Sequence, residues 1–368
     1  MTETRWTIAI DRDDIRSASV EPLAPAVLKD GQVEVAITSY AMTANNITYA
    51  ALGKPMGLFG NHQGYWDFFS APGAAGHLPV WGFATIMASR ADGVAVGEEF
   101  YGYYPMASHA VLTVAKSGPN GFTDVTPHRT TLPPIYNQYQ RVSALGDYRA
   151  EHRDLWPIFR PLFLTGWLIA DQLDEENDYG AQQILIASAS SKTATGLGFV
   201  QRQRDRPHAP TVGLTSPANV AELARRGIYD AVMAYDDIDL LDPAMTSVLV
   251  DMAGNGAVTA AVHQHFGDAL KASIIVGKSH WDASTPLVAL PGPERQGFFA
   301  PARSQKRIAE WGPGAFGQHI AEAWLGFMEV APALTSPDHR SGSAAALAAY
   351  YEMLDGKVDP ANGLLVGP

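Results

Sequence analysis

ILIASASSKTATGLGF, residues 184–199, decides how the second half of this chain folds. An apolar run, Ile184-Leu185-Ile186, meets a turn of small residues, and Gly196 and Gly198 follow in a segment that can be helical. Strand, tight turn and helix in that order open a dinucleotide-binding unit, because a helix start gathers backbone N–H groups and the positive end of the helix dipole. Glycines ordinarily let that backbone approach a pyrophosphate. Here Ser188, Ala189, Ser190 and Ser191 keep the turn small, Ser191 and Thr193 add hydroxyls, and Lys192 adds a positive charge. On its own the stretch suits a phosphate and an ordinary structural turn equally.

The segments around it sharpen the choice. Strands are predicted over 183–187, 211–214, 231–234, 247–251 and 272–276, and helices over 161–171, 194–203, 218–226 and 257–266. Strands alternating with helices imply a parallel sheet covered on both faces, and this many steps imply a doubly wound domain. The strand after the turn ends at Thr215 and Ser216, with no acidic residue to take a ribose 2′-hydroxyl. Hydroxyls at that point tolerate a 2′-phosphate, so NADPH is the expected cofactor rather than NADH. Ser216 before Pro217 also fits a plain helix cap.

The first 115 residues are β-rich, with strands predicted over 33–37, 81–88, 100–104 and 109–114. Between residues 53 and 79 runs a loop of Gly, Pro and aromatic residues, and a loop that long inside a domain is usually functional or mobile. Its aromatic group, Tyr65-Trp66-Asp67-Phe68-Phe69, reads as packing beneath the loop more readily than as a pocket wall. Helices at 316–330 and 343–354 and a strand at 364–366 close the chain.

Composition narrows the function classes. The chain has 368 residues, 46% hydrophobic and 17% charged, which suits a globular protein of two domains. A net charge of −12 without any basic block disfavours nucleic acid as a partner. No segment has signal-peptide character and none has the length of a transmembrane helix, so a cytoplasmic protein away from membranes is expected. The absence of cysteine removes disulfides, thiolate zinc ligands and cysteine nucleophiles. Among 11 histidines, His263 and His265 stand two apart, which on a helix points them to different sides, and both are expected on its surface. No metal site is expected. His62 and His109 read as structural. Ser188–Ser191 lack the G-x-S-x-G elbow of a hydrolase.

Several motifs together resemble the medium-chain dehydrogenase/reductase superfamily, especially its zinc-independent quinone oxidoreductase branch. They are Val94–Gly102 (VAVGEEFYG), Pro161–Trp167 (PLFLTGW), Val250–Asn255 (VDMAGN), Ile274–Gly277 (IIVG) and Leu354–Val366 (LDGKVDPANGLLV). GYWDFFSAP, VWGFA, SASSKTA, VDMAGN and EWGPGAF are further similar to an uncharacterised family within it, a domain of unknown function, over nearly the whole chain. The resemblance implies an α/β chain: a β-rich GroES-like catalytic domain over 1–155 and a doubly wound Rossmann-type nucleotide-binding domain over 156–295. Residues 296–368 would return to the catalytic domain.

It also implies where a site would lie. Ser190, Ser191, Lys192, Thr193 and Ala194 would hold the cofactor, with Thr165 on the entry helix, Thr215 and Ser216 after the next strand, and Asn255 and Gly277 after the fourth and fifth strands. Ala44–Tyr49 is similar to the family stretch that carries an active-site asparagine and tyrosine. Tyr49 matches the tyrosine, and the asparagine falls at Ala44 or, one residue on, Asn45. His280 and Asp282 follow the fifth strand at once and complete the catalytic candidates. Tyr49 could equally be a half-buried aromatic, and His280 and Asp282 loop supports. The implied activity is NADPH-dependent, zinc-independent reduction of an enone, quinone or related small carbonyl compound. A non-redox enzyme using acid–base or carbon–carbon bond chemistry in the interdomain cleft is the alternative, followed by a nucleotide sensor without turnover. Homo-oligomerisation is implied by the resemblance only.

Overall fold

Alternation of buried and solvated side chains in the first half of the chain becomes a closed sheet in the computed structural model, which describes residues 5–55, 63–69, 71, 73–205, 207–279 and 289–368. Two compact units divide the chain: residues 1–158 with 335–368, and residues 159–334.

The first unit opens with β1 (Trp6–Asp11), β2 (Ala18–Pro22), β3 (Gln32–Met42) and a helix, α1 (Ala44–Ala51). It continues with β4 (Ala75–His77), β5 (Pro79–Ser89), β6 (Glu99–Pro105), β7 (His109–Gly118), β8 (Gly121–Asp124) and β9 (Gln138–Arg141). β2, β1 and β4 form a small sheet, while β3-β5-β6-β9-β8-β7 run in sequence and β7 pairs back onto β3. That last pairing closes a barrel and leaves no open edge between these six strands. Val33, Val35 and Ile37 of β3 share one face with their cross-strand partners Leu112, Ile86 and Ala84, and with Phe100 beyond Ala84, all buried. The period-two pattern of β3 thus becomes burial on one face.

The second unit is entered through α2 (Leu155–Glu175), which starts earlier than the predicted 161 and carries Pro161 inside it, where the missing N–H leaves one helix hydrogen bond unmade. Then follow β10 (Gln183–Ala187), α3 (Lys192–Arg202), β11 (Thr211–Thr215), α4 (Val220–Arg226), β12 (Ala231–Ala234), β13 (Ser247–Asp251), α5 (Gly256–Phe266), β14 (Leu270–Ile275) and β15 (Arg295–Gly297). The strands are all parallel in the order β12-β11-β10-β13-β14-β15. That is the doubly wound order of a dinucleotide-binding sheet, with the direction of winding reversing between β10 and β13.

The expected boundary at 295 falls inside this unit. α6 (Ala300–Trp311), α7 (Pro313–Met328) and α8 (Ala331–Leu334) stay with it. Arg303 and Arg307 both donate to Asp171 of α2, at 2.6 and 2.9 Å, and the Trp324 and Phe327 rings of α7 pack on Phe163 of α2. Only β16 (Ser336–Ser341), α9 (Ser343–Leu354) and β17 (Asn362–Gly367) return to the β-rich unit, where β17 pairs with β3. No helix among the described residues is long and apolar enough to cross a membrane.

Candidate functional site

At the carboxyl edge of the parallel sheet, register pairing sets Ala187 level with Leu214 and with Asp251, and Asp251 level with Ile275. The turn after β10, the Thr215–Ser216 pair, Asn255 and Gly277 all follow that row. This is where ligands bind in sheets wound this way. α3 begins at Lys192. Ser191 is its N-cap, and its Oγ accepts from the Ala194 amide at 3.2 Å. The Lys192 and Thr193 amides belong to the same first turn, in which N–H groups lack partners within the helix. An anion there would meet backbone donors and the helix dipole.

Ser188 holds φ at +58°, in the left-handed region that favours glycine. The glycines near this turn sit in its surroundings. A Cβ on Gly198 of α3 would come within 2.7 Å of the Tyr229 ring and of the Ile228 side chain, and one on Gly213 of β11 within 2.7 Å of the opposite side of that ring. A Cβ on Gly166 of α2 would meet the Thr193 carbonyl at 2.8 Å and the Leu197 amide nitrogen at 2.6 Å, so α2 lies tightly on the first turns of α3. Thr165 precedes Gly166 on α2, and its hydroxyl donates to the Pro161 carbonyl of the same helix at 3.0 Å. The Lys192 ammonium stands 5.7 Å from the centre of the Phe159 ring.

Other expected contacts are narrower than the sequence suggests. Thr215 is only 1% exposed, which leaves Ser216 as the more open hydroxyl at the end of β11. Ser216 occupies the cap position of the short turn at Pro217–Asn219, yet its side chain makes no capping bond there. Asn255 caps α5 through its Oδ1, which accepts from the Ala257 and Val258 amides at 3.2 and 3.3 Å. Its side-chain NH2 is then the group left for a ligand. Gly277 lies against Gly254, whose Cβ would stand 2.8 Å from the Gly277 carbonyl oxygen. His280 and Asp282 lie outside the described residues, as does His62.

In the β-rich unit, helix α1 puts Asn45 one turn before Tyr49, and the Asn45 side-chain amide donates to the Tyr49 hydroxyl at 2.7 Å. The Trp81 indole N–H donates to the same oxygen at 3.4 Å. Tyr49 is 4% exposed, at the heart of an aromatic nest. Its ring centre lies 4.4 Å from that of Tyr65 and 5.7 Å from that of Tyr103, and Tyr136 packs on both Tyr65 and Tyr103. Burial pushes the Tyr49 hydroxyl above the usual phenol range, while the neighbouring Trp81, Tyr103 and Asn45 groups pull it down. A buried ion pair supports the nest: Arg129 donates to Asp124 at 2.6 Å and to the Tyr136 carbonyl at 2.7 Å. Tyr65, Trp66, Phe68 and Phe69 are buried, in keeping with packing beneath the loop. Asn45 and Tyr49 are thus brought together by a helix that the apolar pattern did not reveal.

The histidine expectation is corrected in part. His263 is fully buried, with Nδ1 2.8 Å from the Pro291 carbonyl and Nε2 2.8 Å from the Ser273 hydroxyl. The outer face of α5 carries His265 instead, half-buried, with Nε2 2.8 Å from the Leu241 carbonyl. Among the described residues no group of three or more His, Asp or Glu side chains gathers as a metal site would require. His109 is buried beside the Ser108 hydroxyl, a structural placement.

A family profile described as Protein of unknown function (DUF2855) matches residues 40–359. No curated protein matches the chain. Among solved structures, CurA of Vibrio vulnificus in complex with NADPH is similar over 98% of this chain and 98% of its own, at 12% identity and a TM-score of 0.63. A mutant form of enoyl thioester reductase from Candida tropicalis is similar over 100% of both chains, at 10% identity and a TM-score of 0.55. The yhdH oxidoreductase of Salmonella enterica in complex with NADP is similar over 99% of both, at 15% identity and a TM-score of 0.52. At such identities the likeness shows the fold: a Rossmann-type sheet unit joined to a β-rich GroES-like unit, as the motifs imply.

Proposed function

We propose, for a chain that belongs to the family described as Protein of unknown function (DUF2855), NADPH-dependent and zinc-independent reduction of an enone, quinone or related small carbonyl compound. The observation that carries this is the turn of residues 188–194, set at the carboxyl end of β10 in a sheet of order β12-β11-β10-β13-β14-β15. Solved structures of the same fold bind NADPH or NADP, which supports the choice of cofactor.

The residues present fit that cofactor. Amides of the first turn of α3, with Ser190 and Ser191 beside them, suit the pyrophosphate. Ser216, near Thr215 and with no carboxylate next to it in the sequence, suits a 2′-phosphate. Lys192 adds positive charge at the same helix start, Asn255 and Gly277 follow β13 and β14 at the same edge, and the family resemblance adds Thr165 of α2. Bound there, the cofactor supplies a hydride to an electrophilic carbon.

Proton transfer falls to Tyr49. Its oxygen accepts from Asn45 and Trp81, so its own O–H is the group available to donate. The same two donors would stabilise the phenolate left behind. Burial keeps the phenol protonated at neutral pH, as a general acid requires. The scheme uses no zinc: the chain has no cysteine to supply a thiolate ligand, and polarisation of the carbonyl rests on hydrogen-bond donors.

Calorimetry of the whole protein with NADPH, NADP, NADH and NAD tests the scheme. The expected result is that NADPH binds most tightly. Binding of none of the four at millimolar concentration rejects it, and binding of NADH alone rejects the 2′-phosphate assignment to Thr215 and Ser216.

A further inference from the structure

We propose that Tyr229 and Tyr235 are positioning residues that hold the glycine-poor turn in the conformation that presents the start of α3 to an anion. The inference deepens the nucleotide reading above and names residues to which that reading gives no role.

Backbone hydrogen bonding at Ser188 and Ala189 can be accounted for in full. The Ser188 amide donates to the Tyr235 hydroxyl oxygen at 3.1 Å. The Ser188 carbonyl accepts from the Ser191 amide at 2.9 Å, and the Ala189 amide donates to the Leu214 carbonyl at 3.0 Å. The Ala189 carbonyl accepts from the Tyr229 hydroxyl at 2.7 Å. Two of these bonds follow from the turn and the sheet edge. The other two come from phenol groups that the chain brings from beyond α4.

These phenols meet a specific need. Ser188 sits at φ +58°, which costs a residue with a Cβ more than it costs glycine. Something outside the turn must favour that conformation. Tyr235 does so from one side, and its O–H also points at the Ser188 Oγ, 3.4 Å away. Tyr229 does so from below. Its ring occupies the gap left by Gly198 and Gly213, and Ala189 lines the same gap. Small residues ordinarily found in the turn are here placed where they admit a tyrosine beneath it.

The test uses Tyr229→Phe and Tyr235→Phe, which keep the rings, together with the double variant Tyr235→Phe/Ser188→Gly. Two readouts are taken on the full chain: amide exchange at residues 188–194 without nucleotide, and the dissociation constant for NADPH. Loss of one neutral hydrogen bond corresponds to roughly a two- to tenfold effect. Each Phe variant is expected to speed exchange at the turn by about that factor while β13 and β14 keep their protection, and to weaken NADPH by a similar factor. Glycine at 188 should restore most of the affinity lost in Tyr235→Phe. Unchanged exchange at the turn in both Phe variants overturns the proposal, and so does a lower melting temperature with unchanged affinity. If the wild type binds no NADPH but exchange at the turn still quickens, the nucleotide reading fails and the brace stands.

Discussion

Tyr229 makes the close packing around the turn measurable through Gly213→Ala. A Cβ at 213 would lie 2.7 Å from Cδ2 of the Tyr229 ring and 3.0 Å from the Ala189 Cβ. The ring has nowhere to retreat. Gly198 closes its other side, where a Cβ would also come within 2.7 Å, and its hydroxyl is tied to the Ala189 carbonyl at 2.7 Å. Overpacking of a filled core costs about 1–3 kcal/mol. Replacing glycine by alanine returns about 0.4–1 kcal/mol by restricting the unfolded chain. The net expectation is a loss of about 1–2 kcal/mol, which is roughly a 5- to 30-fold rise in opening.

The decisive measurement is the same change in a Tyr229→Ala background. Removing the ring should cost about 3–5 kcal/mol by itself, as for other large aromatic truncations. With the ring gone, the new methyl has room, and Gly213→Ala should become neutral or slightly stabilising. The coupling between the two sites is then about 1–3 kcal/mol. Amide exchange of the β10 and β11 backbone is the suitable assay, since it reads this sheet locally and a chain of two units need not unfold in one step. Equal penalties in the two backgrounds would show that Tyr229 is not wedged against Gly213, and the account of the turn's surroundings would be refuted.

Tyr49→Phe is expected to lower turnover by roughly 10²–10⁴-fold with NADPH affinity unchanged, the usual worth of a positioned proton donor; unchanged turnover in a steady-state assay would remove Tyr49 from the chemistry. His263 predicts a dependence on pH: burial, with a smaller contribution from the Arg295 charge, holds its pKa below the ordinary 6.5, against the Pro291 carbonyl hydrogen bond, which raises it. The unfolded chain therefore binds more protons, so the contribution of His263 is present above 6.5 and is lost as pH falls towards the depressed value. Thermal melts over that range should show a decline that is shallower in His263→Gln, and identical slopes would refute it.

The parallel sheet was legible because its central strands are buried on both faces and so appear as short, mostly apolar runs, and the edge strand β12 is apolar although Ala231 is exposed. Gln183–Ala187, Ala231–Ala234 and Ser247–Asp251 stand where the sequence predicts them. Edge and surface elements were not. β2 and β16 alternate between exposed and half-buried positions, with too little apolar contrast to mark a period. α1 is short and mixes polar with apolar residues. Its one signal was a capping pair, Thr43 with Asn46 three residues later, where the Thr43 amide donates to the Asn46 side chain at 2.8 Å. Missing that helix hid the pairing of Asn45 with Tyr49, because side chains four apart meet only on a helix. For α5 the two-residue spacing did separate His263 from His265 onto different faces, but a sheet strand and the Pro291 carbonyl turn the His263 face inwards.

Counting glycines in the turn is a poor guide because glycine is only one way to meet a physical requirement. The backbone must turn sharply, approach its ligand, and keep each buried N–H and C=O paired. Glycine meets the first two by lacking a Cβ. In this chain the third is met by side chains from outside the turn, and those side chains need space of their own. Gly198 and Gly213 supply it from α3 and β11, each too close to Tyr229 for a methyl group to fit unstrained. A serine at φ +58° is then held in place rather than merely tolerated. A turn without glycine can therefore keep its fold when two conditions hold together: hydroxyls that reach its backbone, and small residues where those hydroxyls' rings must pass. Residues 198, 213, 229 and 235 are together the part of the pattern to look for when the turn itself carries no glycine.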